Sequence, residues 1–155
     1  MVRTLARASG SLGMAGGQAI DLQSVGQRIG QAELETMHRL KTGALLEAAF
    51  MMGAALGGAS EAEISCAEQI GRAVGLAFQI QDDILDETAT EAELGKPLHS
   101  DEKNQKTTYV SLFGLEAARE AVRQQSEAAE QRLREFPGET ETLAALIAYL
   151  TDRRF

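Results

Sequence analysis

Apolar residues recur at three- and four-residue steps along most of the chain, the spacing that puts them on one face of a 3.6-residue helix. Leu34, Met37, Leu40, Ala44, Leu45 and Ala48 form one such stripe and predict a helix over residues 32–56, stopped by Gly57 and Gly58. Ser60 followed by Glu63 has capping-box spacing, so a second helix is expected from residue 61 to about residue 86. Its stripe is Ile64, Ala67, Gly71, Val74, Gly75, Phe78 and Leu85. A short helix ending at Gly10 opens the chain. A Gly-rich stretch follows over 10–17, and residues 21–31, with Gly26 and Gly30 among polar neighbours, read as loop. Residues 88–105 are polar, carry Gly95 and Pro97, and read as a long loop of the kind that is often functional. Helix resumes over 106–135 with a break near Gly114. Phe136-Pro137-Gly138 makes a turn, and a last helix covers 141–152 before the basic pair Arg153-Arg154. With no hairpin chemistry and no internal repeat, the expected fold class is all-α, a single helical region over residues 1–155.

Composition narrows this picture. The chain has 155 residues, a length that suits one domain with a buried core. Aromatic residues are only 5% and Pro occurs twice, which with much Ala, Leu, Glu and Gln favours helix over sheet. The most apolar run, residues 44–59, is shorter than the roughly 18–20 residues that span a bilayer, and it contains Glu47. It is expected to be a helix buried on most sides, and no membrane span is expected. Arg3 and Arg7 precede the first acid, Asp21, as in a presequence, but an ordinary short helix accounts for the same residues. Acidic residues outnumber basic ones 23 to 15, a net charge of −8, which excludes a general nucleic-acid binder. The single cysteine, Cys66, rules out an internal disulfide framework, reads as a small buried hydrophobe, and fits a reducing, cytoplasmic compartment.

The segment Phe78-Gln79-Ile80-Gln81-Asp82-Asp83-Ile84-Leu85-Asp86 carries the candidate chemistry. On a helix Asp82 and Asp86 face the same way, Gln79 lies one turn earlier and Asp83 sits between. Like charges at that spacing repel, so a cation is expected to compensate them. Mg²⁺ takes hard oxygen ligands, one or two carboxylates plus substrate phosphates, and suits this face. Taken alone, the cluster reads more readily as a solvated acidic patch than as a metal site. Lys41-Thr42-Gly43 lies in an otherwise apolar helix, where the lysine either snorkels to solvent or meets a phosphate. Lys96, Lys103 and Lys106 follow the acidic segment.

Together these blocks resemble the trans-isoprenyl diphosphate synthases, and most nearly their bacterial farnesyl diphosphate branch. The resemblance rests on Gly13-Met14-Ala15-Gly16-Gly17-Gln18-Ala19-Ile20-Asp21-Leu22, His38-Arg39-Leu40-Lys41-Thr42-Gly43-Ala44-Leu45, the run from Gly75 through Asp86, Leu94-Gly95-Lys96, and Lys106-Thr107-Thr108-Tyr109, in that order. It implies an isoprenoid-synthase-type helical bundle and a Mg²⁺-dependent prenyl transferase that condenses an allylic diphosphate with isopentenyl diphosphate to give farnesyl diphosphate. It also implies roles. Asp82 and Asp86 would bind Mg²⁺, with Asp83 weaker or acting through water. Lys41, Lys96 and Lys106 would hold the diphosphate. Thr42 and Gln79 would line the reacting cation, and Gln18 and Asp21 would orient Lys41 or a metal-bound water.

The family carries two aspartate-rich motifs, and only the second has a counterpart here. The first motif and the isopentenyl diphosphate elements belong to an N-terminal half, and neither His38 nor His99 stands in their place. The chain is therefore expected to be the C-terminal half of such a synthase, inactive alone, and to oligomerise or to need the absent half, because half a bundle leaves apolar faces bare. A dimer is the simplest such assembly. The alternative is a non-catalytic subunit that pairs with a complete synthase.

Overall fold

A computed structural model describes residues 1–88 and 106–152, and these are helical with no strand among them. The helices are α1 (Val2–Ser9), α2 (Met14–Gln23), α3 (Gln31–His38), a π-helical turn Arg39–Gly43, α4 (Ala44–Leu56), α5 (Glu61–Thr88), α6 (Tyr109–Phe113), α7 (Leu115–Glu135) and α8 (Glu141–Thr151). Lys96, Lys103, His99, most of the expected 88–105 loop and the pair Arg153-Arg154 lie outside the described residues.

Helix α5 is the central pillar. It starts where the capping box predicts: the Ser60 N–H donates to Glu63 Oε2 at 2.6 Å and the Glu63 N–H to Ser60 Oγ at 3.4 Å. One of its faces packs on α7. Ile70 and Val74 meet Ala129, Leu133 and Ile147 of α7 and α8, and further along α5 Ala77, Ile80 and Ile84 meet Ala118 and Val122. The pairing order makes α5 and α7 antiparallel. A second face of α5 packs on α4 through glycines. A Cβ on Gly71 would lie 2.7 Å from the Glu47 Cα, and one on Gly75 would lie 2.8 Å from the Gly43 Cα. Only bare backbone lets the two helices come this close.

A third cluster, Ile29, Leu34 and Met37, with Tyr109 and Leu112 against it, joins α3 to α6. The expected break at Gly114 falls between α6 and α7, where that residue takes φ 84°. No described helix is long and apolar enough to cross a membrane.

Two expectations fail. Residues 14–23 are helix α2 rather than a Gly-rich stretch running into loop. Its glycines are tolerated because Gly17 packs on the Lys41 backbone, where a Cβ would sit 2.2 Å from the Lys41 nitrogen. The apolar run 44–59 is not buried on most sides. Of α4 only Ala48 is buried, and Leu56 is 71% exposed, because α4 rests on α5 and α1 with its outer face uncovered.

Candidate active site

The site begins with the way Lys41 is presented. The predicted helix over 32–56 is continuous but contains the π-helical turn Arg39–Gly43, in which the Ala44 N–H donates to the Arg39 carbonyl five residues back. Such single wide turns insert an extra residue, re-aim the side chains within them, and are frequent at functional sites. Gly17 of α2 lies directly on this turn. The close approach puts Asp21, one turn further along α2, beside the lysine.

Asp21 is 4% exposed and binds two cations. Lys41 Nζ donates to its Oδ2 at 2.7 Å, and Lys106 Nζ lies 2.9 Å from its Oδ1. Burial alone would push the Asp21 carboxyl up. The hydrogen bonds and positive charge of Lys41 and Lys106 outweigh it and hold the group below its ordinary value. A buried carboxylate with two lysines carries one positive charge in excess, and both lysines keep partial access to solvent, at 31% and 26%. Gln18, by contrast, is exposed on α2 and makes no hydrogen bond among the described residues.

Lys106 arrives on a short extended strap, residues 106–108, that leads into α6. The strap is tied down at successive residues. Thr107 Oγ1 accepts from the Ile29 N–H at 3.2 Å and donates to the Gln27 carbonyl at 3.3 Å. Thr108 caps α6 in a capping box with Ser111. The Tyr109 N–H donates to Asp83 Oδ2 at 2.7 Å.

The acidic segment occupies the last three turns of α5. Gln79, Asp83 and Asp86 are buried, while Asp82 is half-buried. Asp83 and Asp86 line a cleft of 670 Å³ together with Arg28, Lys106, Thr107 and Thr108. His38 is packed beside them, its Nε2 3.9 Å from Asp83 Oδ2 and its Nδ1 buried with no hydrogen-bond partner among the described residues. Burial, reinforced by Lys41, pushes the imidazole down to about 4, so it stands neutral against the carboxylate near neutral pH.

The structure thus gathers Lys41, Lys106, Asp21, Asp83 and Asp86 around one region, with Thr42 on the π turn and Gln79 one turn before the aspartates. Arg28 and the Tyr109 amide join them without having been singled out by sequence, and so does His38, which the sequence named without giving it a role here. Arg28 follows α2 in a polar stretch with no periodicity to mark it, and a backbone amide has no sequence signature. Among the described residues no three His, Cys, Asp or Glu side chains converge enough to hold an ion unaided. The donor set is hard oxygen from a pair of carboxylates beside cations. That set fits Mg²⁺, which completes its shell with water and phosphate oxygens.

Other candidates have plainer roles. Cys66 is half-buried against the Arg132 carbonyl, and burial pushes its thiol up, which leaves it a packing residue and a poor nucleophile. Phe50 packs on the α5–α7 core. Tyr109 packs against Phe113 with the rings tilted by 51° and their centroids 4.9 Å apart.

Comparison with known proteins shows which sequences and folds this chain is similar to. Residues 1–150 match the family described as Polyprenyl synthetase. The chain is 42% identical over 156 residues to the heterodimeric geranylgeranyl pyrophosphate synthase large subunit 2 of Arabidopsis thaliana, covering 98% of this chain and 42% of that protein. It is 41% identical to the farnesyl diphosphate synthase of Escherichia coli, covering 99% of this chain and 52% of that one. Among solved structures, the geranyltransferase from Helicobacter pylori, complexed with magnesium and isoprenyl diphosphate, superposes with a TM-score of 0.77 at 29% identity over 96% of this chain and 48% of that one. The chain spans about half the length of the curated relatives it matches.

Proposed function

Because this chain belongs to the polyprenyl synthetase family, we propose that it forms the diphosphate-binding wall of a prenyl transferase that joins an allylic diphosphate to isopentenyl diphosphate and yields farnesyl diphosphate. The observation that carries the reading is the Lys41–Asp21–Lys106 unit set beside the buried aspartates of α5. In this reaction the allylic C–O bond ionises, the isopentenyl double bond attacks the cation, and a proton leaves. The cost lies in separating diphosphate from a carbocation, which preorganised positive charge lowers.

In this reading Lys41 and Lys106 turn their ammonium groups to the diphosphate oxygens, and Lys96 adds a third. Asp82 and Asp86 hold the ion. Mg²⁺, when bound, neutralises the leaving diphosphate and acts on it as a Lewis acid. Thr42 and Gln79 direct oxygen dipoles at the reacting carbon. Asp21, with Gln18 further out on α2, orients Lys41. The reaction is cytoplasmic in this proposal, with no nucleic acid involved.

The chain spans about half of its relatives, so ligand binding without turnover is the expected behaviour of these residues alone. Titration calorimetry with inorganic diphosphate should show binding that requires Mg²⁺. Asp82→Asn and Asp86→Asn should each weaken it about tenfold or more. Magnesium-independent binding would overturn the assignment, and condensation by the isolated chain would overturn the expectation that these residues bind without turnover. A second reading is favoured by the bare apolar surface of α1 and α2: a non-catalytic subunit that pairs with a complete synthase. It predicts tight association with such a subunit that Asp82→Ala leaves unchanged.

A further inference from the structure

Asp83 is the middle carboxylate of the acidic segment, but its surroundings differ from those of Asp82 and Asp86. Its Oδ2 accepts the Tyr109 N–H at 2.7 Å, and His38 Nε2 faces the same oxygen at 3.9 Å. Tyr109 N–H is one of the first amides of α6, a group with no partner inside its own helix, so a carboxylate there meets an orphan donor. The residue lies three positions after Lys106, on the strap that Thr107 fastens to Gln27 and Ile29. The strap therefore has one anchor on the α2–α3 connection and another on α5, and the α5 anchor is Asp83. Tyr109, Val110 and Leu112 hold α6 by apolar contacts as well, so what Asp83 adds is a polar tie on the backbone at the end of the strap, three residues from the Lys106 whose Nζ lies 2.9 Å from Asp21 Oδ1.

We propose that Asp83 acts as a positioning residue: by accepting the Tyr109 amide it docks the Lys106 strap on α5 and sets Lys106 at the diphosphate site. This deepens the prenyl transferase reading and rests on it for what Lys106 holds, but the anchoring itself is a property of the fold. It assigns Asp83 a task that depends on its being an acceptor, while the task of Asp82 and Asp86 depends on their charge.

That difference gives a clean test in the full chain. The Asn amide oxygen occupies the same place as a carboxylate oxygen and still accepts a hydrogen bond, but it carries no charge and is a poor ligand for a hard ion. Amide hydrogen exchange at Tyr109 should fall in protection by about tenfold or more in Asp83→Ala and stay within about threefold of wild type in Asp83→Asn. Magnesium-dependent diphosphate affinity should follow the same order. Asp83→Ala should weaken it no further when combined with Lys106→Ala, since the two substitutions remove one interaction. Equal loss of diphosphate affinity in Asp83→Asn and Asp83→Ala would make Asp83 a ligand and overturn the proposal. Unchanged Tyr109 protection in Asp83→Ala would do the same. If Asp83→Ala fails to fold, Asp83→Asn alone decides, because loss of its Tyr109 protection contradicts the anchor. Silent Asp82→Asn and Asp86→Asn variants alongside the expected Tyr109 pattern would defeat the functional reading and leave the anchor standing.

Discussion

Asp21 shows how much one buried carboxylate organises. The resemblance set Asp21 to orient Lys41 and placed Lys41 and Lys106 at one diphosphate, but the bond from Lys106 to Asp21, 85 residues away, was not legible. Asp21→Asn should destabilise the chain by about 1–3 kcal/mol at neutral pH, the range for losing hydrogen bonds to charged groups, read as a shift in the urea midpoint. The pH dependence has a fixed sign. A carboxyl held below its ordinary value of 3.8 contributes stability above that value and gives it up as pH falls through the lower, folded one. Acid unfolding of Asp21→Asn should therefore begin from a lower plateau but show less loss below pH 4 than wild type. An unchanged urea midpoint at pH 7 would show that the two lysines need no counter-charge.

At the scale of elements, periodic stripes predicted α4 and α5, and the breakers Gly114 and Phe136-Pro137-Gly138 bounded the helices that became α7 and α8. Helix α2 was missed because Gly16 and Gly17 lower helix propensity, and the reason they are tolerated lies in a contact with the Lys41 backbone that no local pattern reveals. The π turn was hidden for a similar reason: Arg-Leu-Lys-Thr-Gly reads as ordinary helix, and only the Ala44-to-Arg39 hydrogen bond shows the extra residue. Glycine substitutions test the packing logic. Gly71→Ala and Gly75→Ala place a Cβ on backbone atoms of the α4 side and should each cost about 1–3 kcal/mol. Gly53→Ala meets nothing within 4 Å in the middle of α4 and should stabilise by about 0.5–1 kcal/mol. Thermal melts of the three variants would refute this if all shifted the same way.

For the whole molecule, the core around α5 contrasts with the surface of the first two helices. Val2 is 84% exposed, Leu5 48%, Leu12 69% and Leu22 66%, all from α1, α2 and the link between them. Apolar exposure on successive elements is what we expect of an interaction surface. Sedimentation of the chain should show concentration-dependent self-association, and Leu5→Glu with Leu12→Glu should reduce it, whereas a monodisperse monomer at all concentrations would refute the expectation. The all-α class was readable from composition and spacing. Which helices would lie bare was not, because exposure is decided by what each one packs against.

The strap carries a consequence for the order in which the molecule assembles. Its ties to Ile29 and Gln27 join residues 78 and 80 positions apart, whereas the paired faces of α4 and α5 adjoin in the chain. Closing so long a stretch costs more chain entropy than joining neighbours does. We therefore expect the α4–α5 pair to take shape before the strap is tied, so that a chain with its pillar already seated on α4 still lacks the fastening beside Lys106.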